Sequence, residues 1–120
     1  MQPGSKPSYL VEWGESLMVK IHGNWCGPNW TGGQNVEAKD YKGSWNAPAL
    51  SKLDEACRLH DKECASRGDK GCCSKDDAKL VRTALKESLN PINLIFRPAY
   101  AATAAAVANG INLASLTRRC

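Results

Sequence analysis

Six cysteines in a chain of 120 residues constrain what this polypeptide can fold into more than any other feature. A chain of this length makes one domain with a modest core, and small cores commonly need covalent staples. Cysteine at this density belongs to an oxidising compartment. Geometry already restricts the pairing. Cys57 and Cys64 lie on one predicted helix, about 10 Å apart along its axis at 1.5 Å per residue, and a disulfide tolerates a Cα separation of only about 4.4–6.8 Å. Each therefore needs a different partner.

The pattern along the chain predicts helices joined by loops. Tyr9-Leu-Val-Glu-Trp13 and Leu17-Met-Val-Lys-Ile21 are apolar segments too short to assign, and residues 22–48, rich in Gly, Asn, Trp and Pro, read as loop. A first helix is expected from Ala49 or Ser51 to Arg67, stopped by Gly68. Leu53, Cys57, His60 and Cys64 recur at helical spacing and share one face. Ser74-Lys-Asp-Asp77 has the spacing of a capping box and opens a second helix. Its apolar stripe is Leu80, Val81, Ala84, Leu85 and Leu89, with Pro91 as its end. Asp77 sits at the edge of that stripe, and Asp76 is expected to face solvent. The alanine-rich run Ala99–Ala108 predicts a third helix, ended by Asn109-Gly110. No repeat or domain boundary interrupts residues 1–120, which read as a single domain.

The net charge of +4 is spread along the chain rather than gathered into a basic arm. No nucleic-acid motif accompanies it, so a nucleic-acid partner is not expected. A basic face would serve either an anionic lipid surface or simple solubility. The alanine-rich run is about half the length needed to span a bilayer. Met1-Gln-Pro-Gly-Ser-Lys6 carries no signal-peptide core. The expected location is secreted or otherwise extracytoplasmic, reached by another route or as an excised segment with an added Met.

Two stretches carry chemistry: the Gly-rich loop His22–Gly33, and the helical segment Leu53–Cys64 with its adjacent His60 and Asp61. An irregular loop can turn several carbonyls toward one point, and hard cations such as calcium prefer oxygen ligands of that kind plus a carboxylate. Adjacent helical residues differ by about 100° in direction, so His60 and Asp61 address neighbouring volumes. A neutral imidazole is a suitable general base near neutral pH.

These residues resemble the secreted phospholipase A2 superfamily, whose calcium loop has the form x-C-G-x-G and whose active-site helix reads D-x-x-C-x-x-H-D. The matching residues are Trp25-Cys26-Gly27-Pro28-Asn29 and Asp54-Glu55-Ala56-Cys57-Arg58-Leu59-His60-Asp61, and the resemblance covers roughly residues 20–85. It implies a mainly α fold: two disulfide-linked antiparallel helices, a Gly-rich calcium-binding loop and an additional C-terminal helix. It also implies calcium-dependent hydrolysis of the sn-2 ester of glycerophospholipids at a phospholipid membrane surface, with His60 activating water. Carried over position by position, the calcium ligands are the carbonyls of Trp25, Gly27 and Asn29 with the carboxylate of Asp61. The Gly27 N–H would be the oxyanion donor, and Asp77 would orient His60. In the family an N-terminal segment lines the acyl channel. The resemblance pairs Cys26 with Cys57; proximity then favours Cys64 with Cys72 or Cys73, and Cys120 takes the remainder.

The resemblance has departures. Asn29 stands where the family has glycine, although Asn tolerates positive φ better than most residues. Cys64 stands where relatives carry a tyrosine that hydrogen-bonds the second-helix aspartate. Six cysteines are fewer than vertebrate secreted members use, which suggests a small microbial, invertebrate or virus-borne variant. No G-x-S-x-G motif argues for a serine nucleophile. Two other readings exist. Cys57, His60, Cys64 and Cys72 or Cys73 could form a structural zinc module, and a phospholipase-like toxin or binding domain need not be catalytic.

Overall fold

The computed structural model describes residues 19–120; Tyr9–Trp13 and the first part of the Leu17–Ile21 segment lie outside the described residues. A two-stranded antiparallel hairpin, β1 (Trp30–Thr31) and β2 (Gln34–Asn35), is followed by four helices: α1 (Lys52–Ser66), α2 (Ser74–Leu89), α3 (Pro91–Phe96) and α4 (Pro98–Ser115). The protein is thus mainly helical, as expected.

Local chemistry sets the helix ends. Ser51 caps α1 by accepting the Asp54 N–H at 3.0 Å, and Gly68 follows the helix with φ of 58°. The cap of α2 differs from expectation: Cys73 precedes the helix and its sulfur accepts the Lys75 N–H, so Ser74 lies inside the helix and no capping box forms. Asn90 caps the short α3 through its side chain, with Pro91 as the first helical residue. α4 runs through Asn109-Gly110 to Ser115. The expected stop fails because the helix continues to bury Val107 and Ala108 beforehand and gains Ile111 packing after it.

α2 packs against both α1 and α4. Leu53, Cys57, His60 and Cys64 are all buried, as their shared face requires, and Leu80, Val81 and Ala84 of α2 meet them. Ala101, Ala104 and Ala108 give α4 a small-residue face that enters the same core. Leu85 and Leu89 are exposed instead of completing the stripe. The buried end of α2 is polar: Tyr100 donates to the Glu87 carboxylate at 2.7 Å and accepts the Leu53 N–H at 3.1 Å. This joins the end of α2 to the start of α1. At the opposite end Arg67 pairs with Asp76 at 2.9 Å, so the two helices run antiparallel. Asp76 is buried there, not solvent-facing, because Arg67 neutralises it.

Three disulfides fasten the layers: Cys26–Cys57, Cys64–Cys72 and Cys73–Cys120. Cys26–Cys57 joins the loop to α1, and Cys64–Cys72 ties the end of α1 to the segment before α2. Cys73–Cys120 holds the C-terminal residues against the start of α2. Among the described residues no helix is long and apolar enough to cross a membrane.

Candidate functional site

The loop of residues 19–30 is folded by its own backbone. Val19 N–H donates to the Pro28 carbonyl at 3.0 Å, and the N–H groups of Ile21 and His22 converge on the Cys26 carbonyl at 2.9 and 3.1 Å. Gly27, at φ of 142°, lies so close to this strap that a Cβ would collide with the Val19 carbonyl oxygen. Asn29 adopts φ of 54°, the left-handed conformation its side chain tolerates. Asn29 thus holds a left-handed turn without a glycine.

Asp54 anchors the loop to α1. Its buried carboxylate accepts the N–H groups of Asn24, Trp25 and Leu50 at 3.0, 2.9 and 2.9 Å. A carboxylate buried with three donors keeps its charge solvated by dipoles. The Cys26–Cys57 disulfide repeats the attachment one helical turn along. The Trp25 ring is a core element: it stacks on Trp45 at 5.5 Å between ring centres, meets Tyr41 edge-on, and donates its indole N–H to the Pro48 carbonyl. Trp30 donates its indole N–H back to the Gly23 carbonyl at 2.9 Å.

His60 is buried in the middle of α1, and its Nε2 lies 2.6 Å from Asp77 Oδ1 on α2. An ionised carboxylate only accepts, so Nε2 carries the proton and Nδ1 presents its lone pair. Nδ1 lies 4.0 Å from Asp61 Oδ1, a charge contact too long for a hydrogen bond. Burial disfavours the imidazolium, but the carboxylates of Asp61 and Asp77 outweigh it and raise the His60 pKa above its ordinary value. Asp61 responds more strongly: burial pushes its carboxyl up to about 6, against the favourable influence of His60. Asp61 Oδ2 is buried and has no hydrogen-bond partner among the described residues.

Loop and helices enclose a cavity of about 430 Å³ whose walls include Trp25, Gly27, Asn29, His60 and Asp61. All the residues singled out from the sequence as loop ligands, base and carboxylate ligand thus line one volume. Asp77 stands behind His60. Ile21, Leu80, Val107 and Ile111 supply apolar wall, and Arg118 lies at the cavity as well. Among the described residues the Gly27 N–H meets no hydrogen-bond acceptor, while its carbonyl accepts the Trp30 N–H at 3.2 Å. The arrangement can move a proton at Nδ1 beside the Asp61 carboxylate.

His60, Cys64 and Cys72 also bring their ligand atoms within 4.8 Å of one another. This group could hold a metal once reduced. With Cys64 joined to Cys72, and Cys57 and Cys73 joined elsewhere, the zinc module expected from these cysteines has no thiolate to offer.

Two residues at the site escaped the sequence reading. Asp54 stands within the helical motif, but nothing in its spacing assigns it to the loop's N–H groups. Arg118 lies 41 residues beyond Asp77 in sequence and reaches its Oδ1 at 2.7 Å. No protein-family model matches this chain, and neither a curated protein nor a solved structure matches it significantly.

Proposed function

We propose that this chain is a small calcium-dependent phospholipase A2 that hydrolyses the sn-2 ester of glycerophospholipids to a fatty acid and a lysophospholipid. The observation that carries the reading is the 2.6 Å contact between His60 Nε2 and Asp77 Oδ1, which leaves Nδ1 beside Asp61 in the cavity wall. Asp77 holds the proton on Nε2 and balances the imidazolium that forms when Nδ1 takes a proton from water. Water so activated attacks the ester carbonyl, with no covalent enzyme intermediate, and as the bond to the sn-2 glycerol oxygen breaks the imidazolium returns its proton to that oxygen, freeing the fatty acid and the lysophospholipid. The raised pKa of His60 strengthens it as a base. The Gly27 N–H is the donor for the oxyanion.

The donor set fits calcium. The carbonyls of Trp25, Gly27 and Asn29 and the carboxylate of Asp61 are oxygen ligands, and a buried Asp61 oxygen without a hydrogen-bond partner supports a cation ligand. Bound calcium would polarise the ester carbonyl and neutralise the lipid phosphate. The apolar wall of Leu80, Val107 and Ile111 suits an acyl chain. The antiparallel α1 and α2 and the attachment of the Gly-rich loop to α1 through Cys26–Cys57 support this reading, although no disulfide joins α1 directly to α2. A phospholipid membrane surface is the expected partner, met from an extracytoplasmic compartment that lets the disulfides persist.

The test is direct. Phospholipid vesicles incubated with the protein in calcium should yield free fatty acid and lysophospholipid, identified by mass spectrometry. Equal product in the presence of chelator rejects the calcium role, and no product rejects the hydrolase.

A further inference from the structure

The C-terminal residues after α4 end on Cys120, and the Cys73–Cys120 disulfide holds them against the first turn of α2 with a Cα separation of 5.0 Å. The Lys75 N–H donates to Cys120 Sγ at 3.4 Å, a second attachment at the same place. Two residues earlier, Arg118 turns its guanidinium inward. Its Nη1 donates to Asp77 Oδ1 at 2.7 Å, the same oxygen that accepts from His60 at 2.6 Å. The Asp77 side chain is 1% exposed and that of Arg118 30%, so the pair is shielded on the carboxylate side.

We propose that Arg118 is a positioning residue for His60, acting through Asp77 and delivered to the site by the Cys73–Cys120 disulfide. An aspartate bonded to an imidazole alone can swing about its side-chain torsions. A guanidinium carries its donors in a fixed planar fork, so it pins the Asp77 side chain in one rotamer. Asp77 pinned in this way fixes the ring orientation and the Nε2–H tautomer. Cys64, spent in its disulfide with Cys72, has no hydroxyl to brace Asp77, and Arg118 does so from a segment 41 residues away in sequence.

The inference uses the hydrolase reading for its kinetic readout only. Arg118→Ala and Arg118→Gln are compared with the parent, the glutamine variant being read in the same way should the alanine variant not fold. The Nε2–H proton of His60 is followed by NMR in calcium-free protein, and kcat and KM are measured on phospholipid micelles. Loss of Arg118 should speed water exchange of the Nε2–H about tenfold and lower kcat about tenfold, the lower end of what removing an orienting partner costs. KM should stay within about twofold. Low, non-denaturing guanidinium chloride should restore part of both in Arg118→Ala, which a merely structural role would not allow. Unchanged Nε2–H exchange in the variants overturns the proposal whatever turnover does. A protein without lipase activity whose Nε2–H exchange still responds to Arg118 keeps this inference and loses the hydrolase reading.

Discussion

Asp54 Oδ1 accepts the Trp25 backbone N–H at 2.9 Å, so the first turn of α1 and the Gly-rich loop form one rigid piece. His60 and the loop are held in register by this carboxylate and by the disulfide one turn further on. Asp54→Ala would strand the buried Trp25 N–H, at about 1–3 kcal/mol for an unpaired buried donor, and release the half-buried N–H groups of Asn24 and Leu50. The expected outcome is destabilisation of about 2–3 kcal/mol in urea unfolding, with weaker calcium binding in whatever fraction folds. A variant as stable as the parent would remove Asp54 from the loop's support.

His60 and Asp61 are neighbours with different tasks in the proposed mechanism. His60→Gln deletes the base and no ligand, so turnover should fall by at least about 100-fold while calcium affinity stays close to the parent's. Asp61→Asn should weaken calcium binding directly, measured by calorimetry. Equal calcium affinity in both variants would mean that Asp61 is not a ligand.

The pH dependence of calcium binding follows from Asp61. Its carboxyl is pushed up to about 6 by burial in metal-free protein, and calcium binds the ionised form. Affinity should therefore fall about tenfold between roughly pH 7 and pH 5, with a proton released on binding in that range. The stability effect has the opposite sign to that of a salt-bridged aspartate. Because the folded pKa lies above the ordinary 3.8, Asp61 contributes on the order of 3 kcal/mol that is present below that value and lost as pH rises through about 6. Without calcium, the stability of the parent relative to Asp61→Asn should thus decline from about pH 4 to pH 7. A flat difference would contradict the burial of this carboxyl.

Gly27 is required by space as well as by conformation. Gly27→Ala would drive a methyl into the Val19 carbonyl oxygen and disturb the loop that carries the proposed calcium ligands and oxyanion donor. Turnover and calcium affinity should both drop by about tenfold or more, while the helical circular dichroism stays near the parent's because the helices do not depend on this turn. Strong calcium binding with normal turnover in this variant would contradict the assignment of the loop.

Asp76 shows where a sequence argument about direction fails. Its helical position predicts a solvent-facing side chain, yet it is buried between Arg67 and Lys79 because the end of α1 turns Arg67 across it. Asp76→Asn therefore probes the pairing with Arg67 separately from the His60 site. It should cost stability through the lost pairing with Arg67 and leave the exchange of the His60 Nε2–H unchanged, both readable on the same sample.

The sequence by itself determined what short-range rules govern. Helical spacing put Leu53, Cys57, His60 and Cys64 on one buried face, Gly68 ended α1, and the distance between Cys57 and Cys64 denied them to each other. The likeness of the loop and helix motifs supplied the Cys26–Cys57 pairing. Tertiary structure alone decided which long-range partner each polar group meets. The Asp54 carboxylate turned back onto the loop, the end of α1 covered Asp76, and a disulfide between residues 73 and 120 brought Arg118 to Asp77. Periodicity records which side of an element is buried, because burial is a property of the element's own face. It does not record which distant donor lies opposite, since that depends on how separate elements dock.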